Sequence, residues 1–156
     1  MRPPYAAPFL ALLIVAACQP QGAPLSAADQ TALRADADSF AARVNRADWT
    51  TAATEFADDA HLMPPNQGPE HGRAAIEAWL KAFPPVSGFT LTVQQIDGRG
   101  DLAYVQGTYT MTVTPPGARP VPDNGKFLAV RRKQANGSWL TVQDMFNSSV
   151  PLPTGR

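Results

Sequence analysis

FADDAHLMPPNQGPEHGRAAIEAWLKAF, running from Phe56 to Phe83, is the stretch from which the fold can be read. His61-Leu62-Met63 leads into Pro64, whose ring pushes Met63 out of helical dihedrals, so these three residues are expected to form a short strand. Asn66-Gln67-Gly68-Pro69 is a turn, and Gly72 marks the entry to a helix with Ile76, Trp79, Leu80 and Phe83 along one side. Glu77 and Lys81 stand four residues apart on its outer side, a spacing that lets them pair.

Toward the N-terminus, Asp48 is placed to cap a shorter helix carrying Trp49, Ala52, Ala53 and Phe56, which Asp58 and Asp59 are expected to end. Ser26, with Asp29 three residues on, caps a longer helix before it. Leu33, Ala37, Phe40, Ala41 and Val44 give that helix one apolar stripe, which is expected to lie across a sheet.

Toward the C-terminus the apolar period changes to two from Val86 onward. A turn centred on Arg99 sets Phe89, Leu91 and Val93 opposite Tyr109, Gly107 and Val105, with Ala103, Met111 and Val113 on the same apolar face. The other face is rich in threonine and suits solvent or a partner sheet. Pro115 to Pro122 contains four prolines and reads as a loop. Lys126–Gln134 and Trp139–Phe146 then pair across Asn136-Gly137, which places Ala129 opposite Asp144, with Phe127, Leu140, Val142 and Phe146 on their face.

The chain has 156 residues, enough for one domain with an ordinary core and no disulfide or metal staple. Lysine plus arginine number 13 and aspartate plus glutamate 13, so the strong field that draws nucleic acid is missing and nucleic acid is not an expected partner. Arg2, the apolar run Phe9–Ala17 and the small Ala16 and Ala17 have the layout of a secretory signal over residues 1–17. That run is too short for a spanning helix, which needs about 20 apolar residues. Val15-Ala16-Ala17-Cys18 resembles the bacterial lipoprotein processing box. The resemblance implies a lipid on Cys18, the only cysteine, and a location in the bacterial cell envelope facing the periplasm or the cell exterior. The plainer reading makes Cys18 one more apolar residue of an ordinary signal. Residues 18–25 then form a tether, 26–150 the domain and 151–156 a flexible tail.

DDAHLMPPN, the Gly72 to Phe83 helix and the closing stretch from Gly137-Ser138-Trp139 to Asp144-Met145-Phe146-Asn147 together resemble the SnoaL-like, nuclear-transport-factor-2-like superfamily, also described as the ketosteroid-isomerase-like fold. The resemblance covers nearly all of 26–150 and implies an α+β class. Three N-terminal helices would pack on a strongly bent, mostly antiparallel sheet to make a cone with a cavity. Because this fold serves cyclases, isomerases and transport factors alike, it does not by itself assign an activity. A steroid isomerisation would use a tyrosine donor on the first helix, and this chain has none there.

Candidate site residues follow from the inner face. Asp144, a carboxyl on an apolar surface, is the candidate acid or base, with Tyr109 and His61 as assisting groups. Trp49, Met63, Asn66, Trp79, Phe83, Phe127 and Phe146 are the candidate pocket walls. Each has a structural counterpart reading: Asp144 paired with Arg131, Tyr109 packed with its hydroxyl bonded, His61 at an edge, the aromatic residues as core. Asp58, Asp59, His61, Glu70 and His71 lack the spacing of a metal site, and no phosphate- or dinucleotide-binding motif is present, so neither metal nor cofactor is expected. Three functions fit these residues. They are binding of a small, mostly apolar molecule by a lipid-anchored domain, acid–base catalysis through Asp144, and a non-catalytic module that forms a homodimer through the threonine-rich sheet face.

Overall fold

A computed structural model of the chain describes residues 22–151. The signal segment 1–17, the lipidation at Cys18 and all but the first residue of the tail lie outside the described residues. Among the described residues three helices precede or interleave with six strands: α1 (Ala27–Asn45), α2 (Trp49–Ala53), β1 (Phe56–Met63), β2 (Glu70–His71), α3 (Arg73–Ala82), β3 (Val86–Arg99), β4 (Leu102–Val113), β5 (Val121–Lys133) and β6 (Trp139–Ser148). The strands form one open sheet in the order β2-β1-β6-β5-β4-β3, in which only β1 and β6 run parallel. Irregularities in the β1–β6, β3–β4 and β5–β6 ladders bend the strands, since an extra residue on one strand increases its local twist.

Local signals at the helix starts act as expected. The Ser26 hydroxyl accepts from the Asp29 amide at 3.1 Å while Asp29 reaches back to the Ser26 amide at 3.3 Å, a reciprocal cap. Leu33, Ala37 and Val44 are buried against the sheet. At the far end of α1, the Asn45 side chain donates to the Phe89 carbonyl and accepts from the Phe89 amide, both at 2.8 Å. It thereby occupies the open edge of β3 and ties the helix down. Gly72 holds φ at 84°, a left-handed conformation that glycine adopts without strain, and this turns the chain from β2 into α3. Glu77 and Lys81 pair at 2.6 Å.

Four expectations need correction. The helical spacing of Trp49, Ala52, Ala53 and Phe56 does not carry through: α2 ends at Ala53, and β1 already begins at Phe56. The Thr141 amide donates to the Glu55 carbonyl at 2.8 Å, so pairing with β6 captures this segment as strand and overrides its local preference. Asp58 and Asp59 therefore lie within a strand of eight residues rather than at a helix end. Second, β5 starts at Val121, inside the segment read as a loop.

Third, Leu91 rather than Phe89 lies opposite Tyr109, and Val93 faces Gly107. The turn is the two residues between Arg99 and Leu102, and irregularities near Gln95 and Phe89 shift the register along the ladder. Fourth, Ala129 does pair with Asp144 and Phe127 with Phe146, but Arg131 faces Thr141 and Arg132 faces Leu140, so Val142 is the extra residue of a bulge and Leu140 leaves the Asp144 face. At the domain end of the tether the chain is held to the β3–β4 turn. Pro24 bridges to Arg99, and the Gly100 amide donates to the Ala23 carbonyl at 2.8 Å.

Candidate functional site

The helices cover the inner face of β3 to β6 but do not fill it. A hollow of about 120 Å³ remains, walled by α1, α2, α3 and those strands. Aromatic rings meet edge-on or tilted around it. Phe56 lies 6.2 Å from Phe40, Phe40 6.3 Å from Phe89, and Phe89 6.5 Å from Tyr109. Tyr109 is then 6.0 Å from Phe146, Phe146 6.1 Å from Trp79, and Trp79 5.0 Å from Phe83. Centroid separations of this size are those at which ring edges meet ring faces favourably, so the wall is a connected aromatic belt.

One part of the wall is polar. Asp144 enters from β6, Arg131 from β5, Thr141 from the start of β6, and Glu55 from the link between α2 and β1. Arg131 is 7% exposed, yet it does not form the ion pair with Asp144 that shared-face spacing suggests. Its Nη2 donates to Asp36 of α1 at 2.9 Å and to the Trp139 carbonyl at 3.2 Å. Glu55 is 9% exposed and pairs with Arg43.

Burial pushes the Asp144 carboxyl up to about 6, with Arg131 and the Met145 amide opposing it. Asp144 retains some accessible surface, but that surface faces the hollow, where apolar walls replace bulk water. Burial likewise pushes Glu55 up to about 7, against the pull of Arg131 and Arg43.

The structure brings Asp144, Trp49, Trp79, Phe83, Phe127 and Phe146 to the hollow together. Tyr109 lines it with its ring, but its hydroxyl donates to Asp123 at 2.9 Å, and Ser148 donates to the other oxygen of Asp123 at 2.5 Å. Gly125 makes this possible, because a Cβ there would lie 2.5 Å from the Tyr109 ring. Burial, followed by the neighbouring Asp123 carboxylate, holds the Tyr109 hydroxyl well above the ordinary tyrosine range. Its proton is therefore committed to Asp123, not offered to Asp144.

His61, Met63 and Asn66 do not line the hollow. His61 alternates with the inward Leu62 on β1 and packs against His71 of β2, with ring centroids 4.2 Å apart. Met63 pairs beside the outward Met145, and Asn66 sits in the loop after β1 with φ at 58°. Among the described residues no group of three or more histidine, cysteine, aspartate or glutamate side chains is arranged to hold a metal.

Glu55, Arg131 and Thr141, with the rings of Phe40, Phe56 and Phe89, line the hollow although the sequence did not single them out as site residues. For Glu55 a signal was present, since it follows the buried Ala52 by three positions and continues the helical spacing one turn past the end of α2.

Comparison with known proteins agrees with this architecture. Residues 37–141 match the SnoaL-like domain family, and the chain belongs to that family. Among solved structures it is similar to a ketosteroid isomerase-like protein from Erwinia carotovora atroseptica, with 22% identity over 78% of this chain and 96% of that one and a TM-score of 0.71. It is also similar to a nuclear-transport-factor-2-like protein with a cystatin-like fold from Novosphingobium aromaticivorans, with 15% identity over 81% and 85% of the two chains and a TM-score of 0.65. A proposed scytalone dehydratase from the same species shares 15% identity over 83% of this chain and 95% of that one, with a TM-score of 0.70. At these identities the likeness is one of fold. No curated protein matches the sequence.

Proposed function

We propose that the protein is a lipid-anchored, exported SnoaL-like domain that binds a small, mostly apolar molecule in its hollow. The observation that carries the reading is an aromatic belt around about 120 Å³ with carboxyls in one part of the wall. Drug-sized ligands occupy pockets of roughly 300–1,000 Å³, whereas an engineered apolar cavity of about 150 Å³ accepts benzene, so the volume suits a single six-membered ring rather than a steroid. Cys18 supplies the anchor in this reading, and the near-neutral charge gives nucleic acid no purchase. Thermal unfolding of the full chain with and without saturating toluene tests the binding. A rise in melting temperature that grows with toluene concentration is expected. An unchanged melting temperature at saturation overturns the reading.

Acid–base catalysis is the second reading, supported by Asp144. A carboxyl held near 6 in an apolar wall can both take and return a proton close to neutral pH. Exchange of the α-protons of cyclohexanone into heavy water, followed by NMR, tests it. Exchange that is accelerated by the protein and lost in Asp144→Asn supports the reading, and an unaffected rate in that variant removes it.

The sheet's outer face favours a homodimer as a further property. Leu128 and Met145, paired on β5 and β6, are each 44% exposed there, beside Met63 of β1. Sedimentation at micromolar concentration decides between monomer and dimer, and Leu128→Lys should shift a dimer to monomer.

A further inference from the structure

Two buried polar atoms on side chains that wall the hollow have no hydrogen-bond partner: Oε2 of Glu55 and Nε of Arg131. Each belongs to a side chain at least nine-tenths covered, where an unpaired polar atom is costly and calls for a partner. With Glu55 ionised, one is an acceptor and the other a donor. Arg131 is the cation that acts most strongly on the Glu55 carboxyl, so a single hydroxyl group between the two side chains can serve both, giving its proton to Glu55 and accepting from the Arg131 Nε–H.

Charge narrows the ligand further. At pH 8, above the values to which burial raises Glu55 and Asp144, the carboxylates of Asp36, Glu55 and Asp144 around this part of the wall outnumber the guanidinium groups of Arg43 and Arg131, so an added anion is opposed. The belt of rings and the volume admit one planar ring.

We infer that the hollow is a site for a simple neutral phenol, its ring within the aromatic belt and its hydroxyl held between Glu55 and Arg131. This rests on the small-molecule reading above and specifies the chemistry of the ligand. Asp144 is left unblocked beside the bound ring, and Tyr109 contributes only its ring face.

Isothermal titration of the full chain with phenol, toluene and benzoate at pH 8, where Glu55 and Asp144 are ionised and phenol is neutral, tests the inference. Phenol is expected to bind about tenfold more tightly than toluene or better, and benzoate more weakly than phenol. Glu55→Leu should abolish the preference for phenol while retaining toluene binding, and Glu55→Gln, which keeps an acceptor oxygen, should retain part of it. Equal affinities for phenol and toluene in the unmodified protein, the result expected if water serves Glu55 and Arg131, overturn this inference and leave the binding reading standing. An unchanged preference in Glu55→Leu overturns it as well. Failure of both ligands to bind overturns the binding reading with it. If Glu55→Leu does not fold, the wild-type comparison and Glu55→Gln decide.

Discussion

Arg131 of β5, two residues along from the Ala129 that faces Asp144, donates to Asp36 of α1 at 2.9 Å. This contact fastens the long helix over the sheet and leaves Asp144 without an ion pair among the described residues. The arrangement has a consequence for stability. Asp36→Asn removes the charge that offsets a guanidinium only 8% exposed, and a broken pair of this kind leaves an uncompensated buried ion. Because Asp36 itself is 35% exposed, the expected loss lies below that of a fully buried pair, at about 2 kcal/mol in urea denaturation. Asp38→Asn, on an exposed part of the same helix, should leave the midpoint unchanged.

Tyr109→Phe should cost about 1 kcal/mol, the worth of one hydrogen bond, since Asp123 keeps its bond to Ser148. Toluene affinity measured by calorimetry should stay within a factor of two. Tyr109 offers the hollow a ring face, and phenylalanine offers the same face.

Stability should fall as pH rises from about 4 to about 7. Glu55 and Asp144 hold their protons to about 7 and about 6 in the folded chain, above the ordinary carboxylate range, so over this interval the folded state binds more protons than the unfolded one. Asp29, Asp59 and Glu77 are shifted downward by Lys133, Arg132 and Lys81, and the stability they contribute is lost on acidification below about pH 4. A maximum at about pH 4–5 results. Urea midpoints across pH 3–8 check it, and Glu55→Gln should flatten the decline toward neutrality by roughly 2 kcal/mol.

Ala129→Leu tests the hollow sterically. Ala129 lies opposite Asp144 and lines the cavity, so a larger side chain there occupies ligand space. Overpacking should cost about 1–3 kcal/mol and abolish the toluene-induced rise in melting temperature.

Ser26→Ala removes one half of the reciprocal cap on α1 and should cost about 1 kcal/mol. Thermal unfolding with far-ultraviolet circular dichroism checks this.

Much of the fold was legible because its signals are local. Ser26 and Asp29, three residues apart, cap α1, Asp48 starts α2, and Asn136-Gly137 turns β5 into β6 so that Ala129 meets Asp144. The candidate site was legible only in part. Alternation put Asp144, Phe127 and Phe146 on one face, and helical spacing put Trp79 and Phe83 on another, but neither rule places His61 or Met63, whose orientation follows from where β1 enters the sheet.

The sequence by itself determined the helix starts, the hairpin turns and the period-two faces, because caps, turns and alternation act within a few residues of one another. Only the tertiary structure decided that Phe56 opens a strand, that Arg131 binds Asp36 rather than Asp144, and that Tyr109 turns its hydroxyl to Asp123. Those outcomes depend on bulges and on partners as many as 95 positions apart, where burial and the competition for each buried charge outweigh local preference.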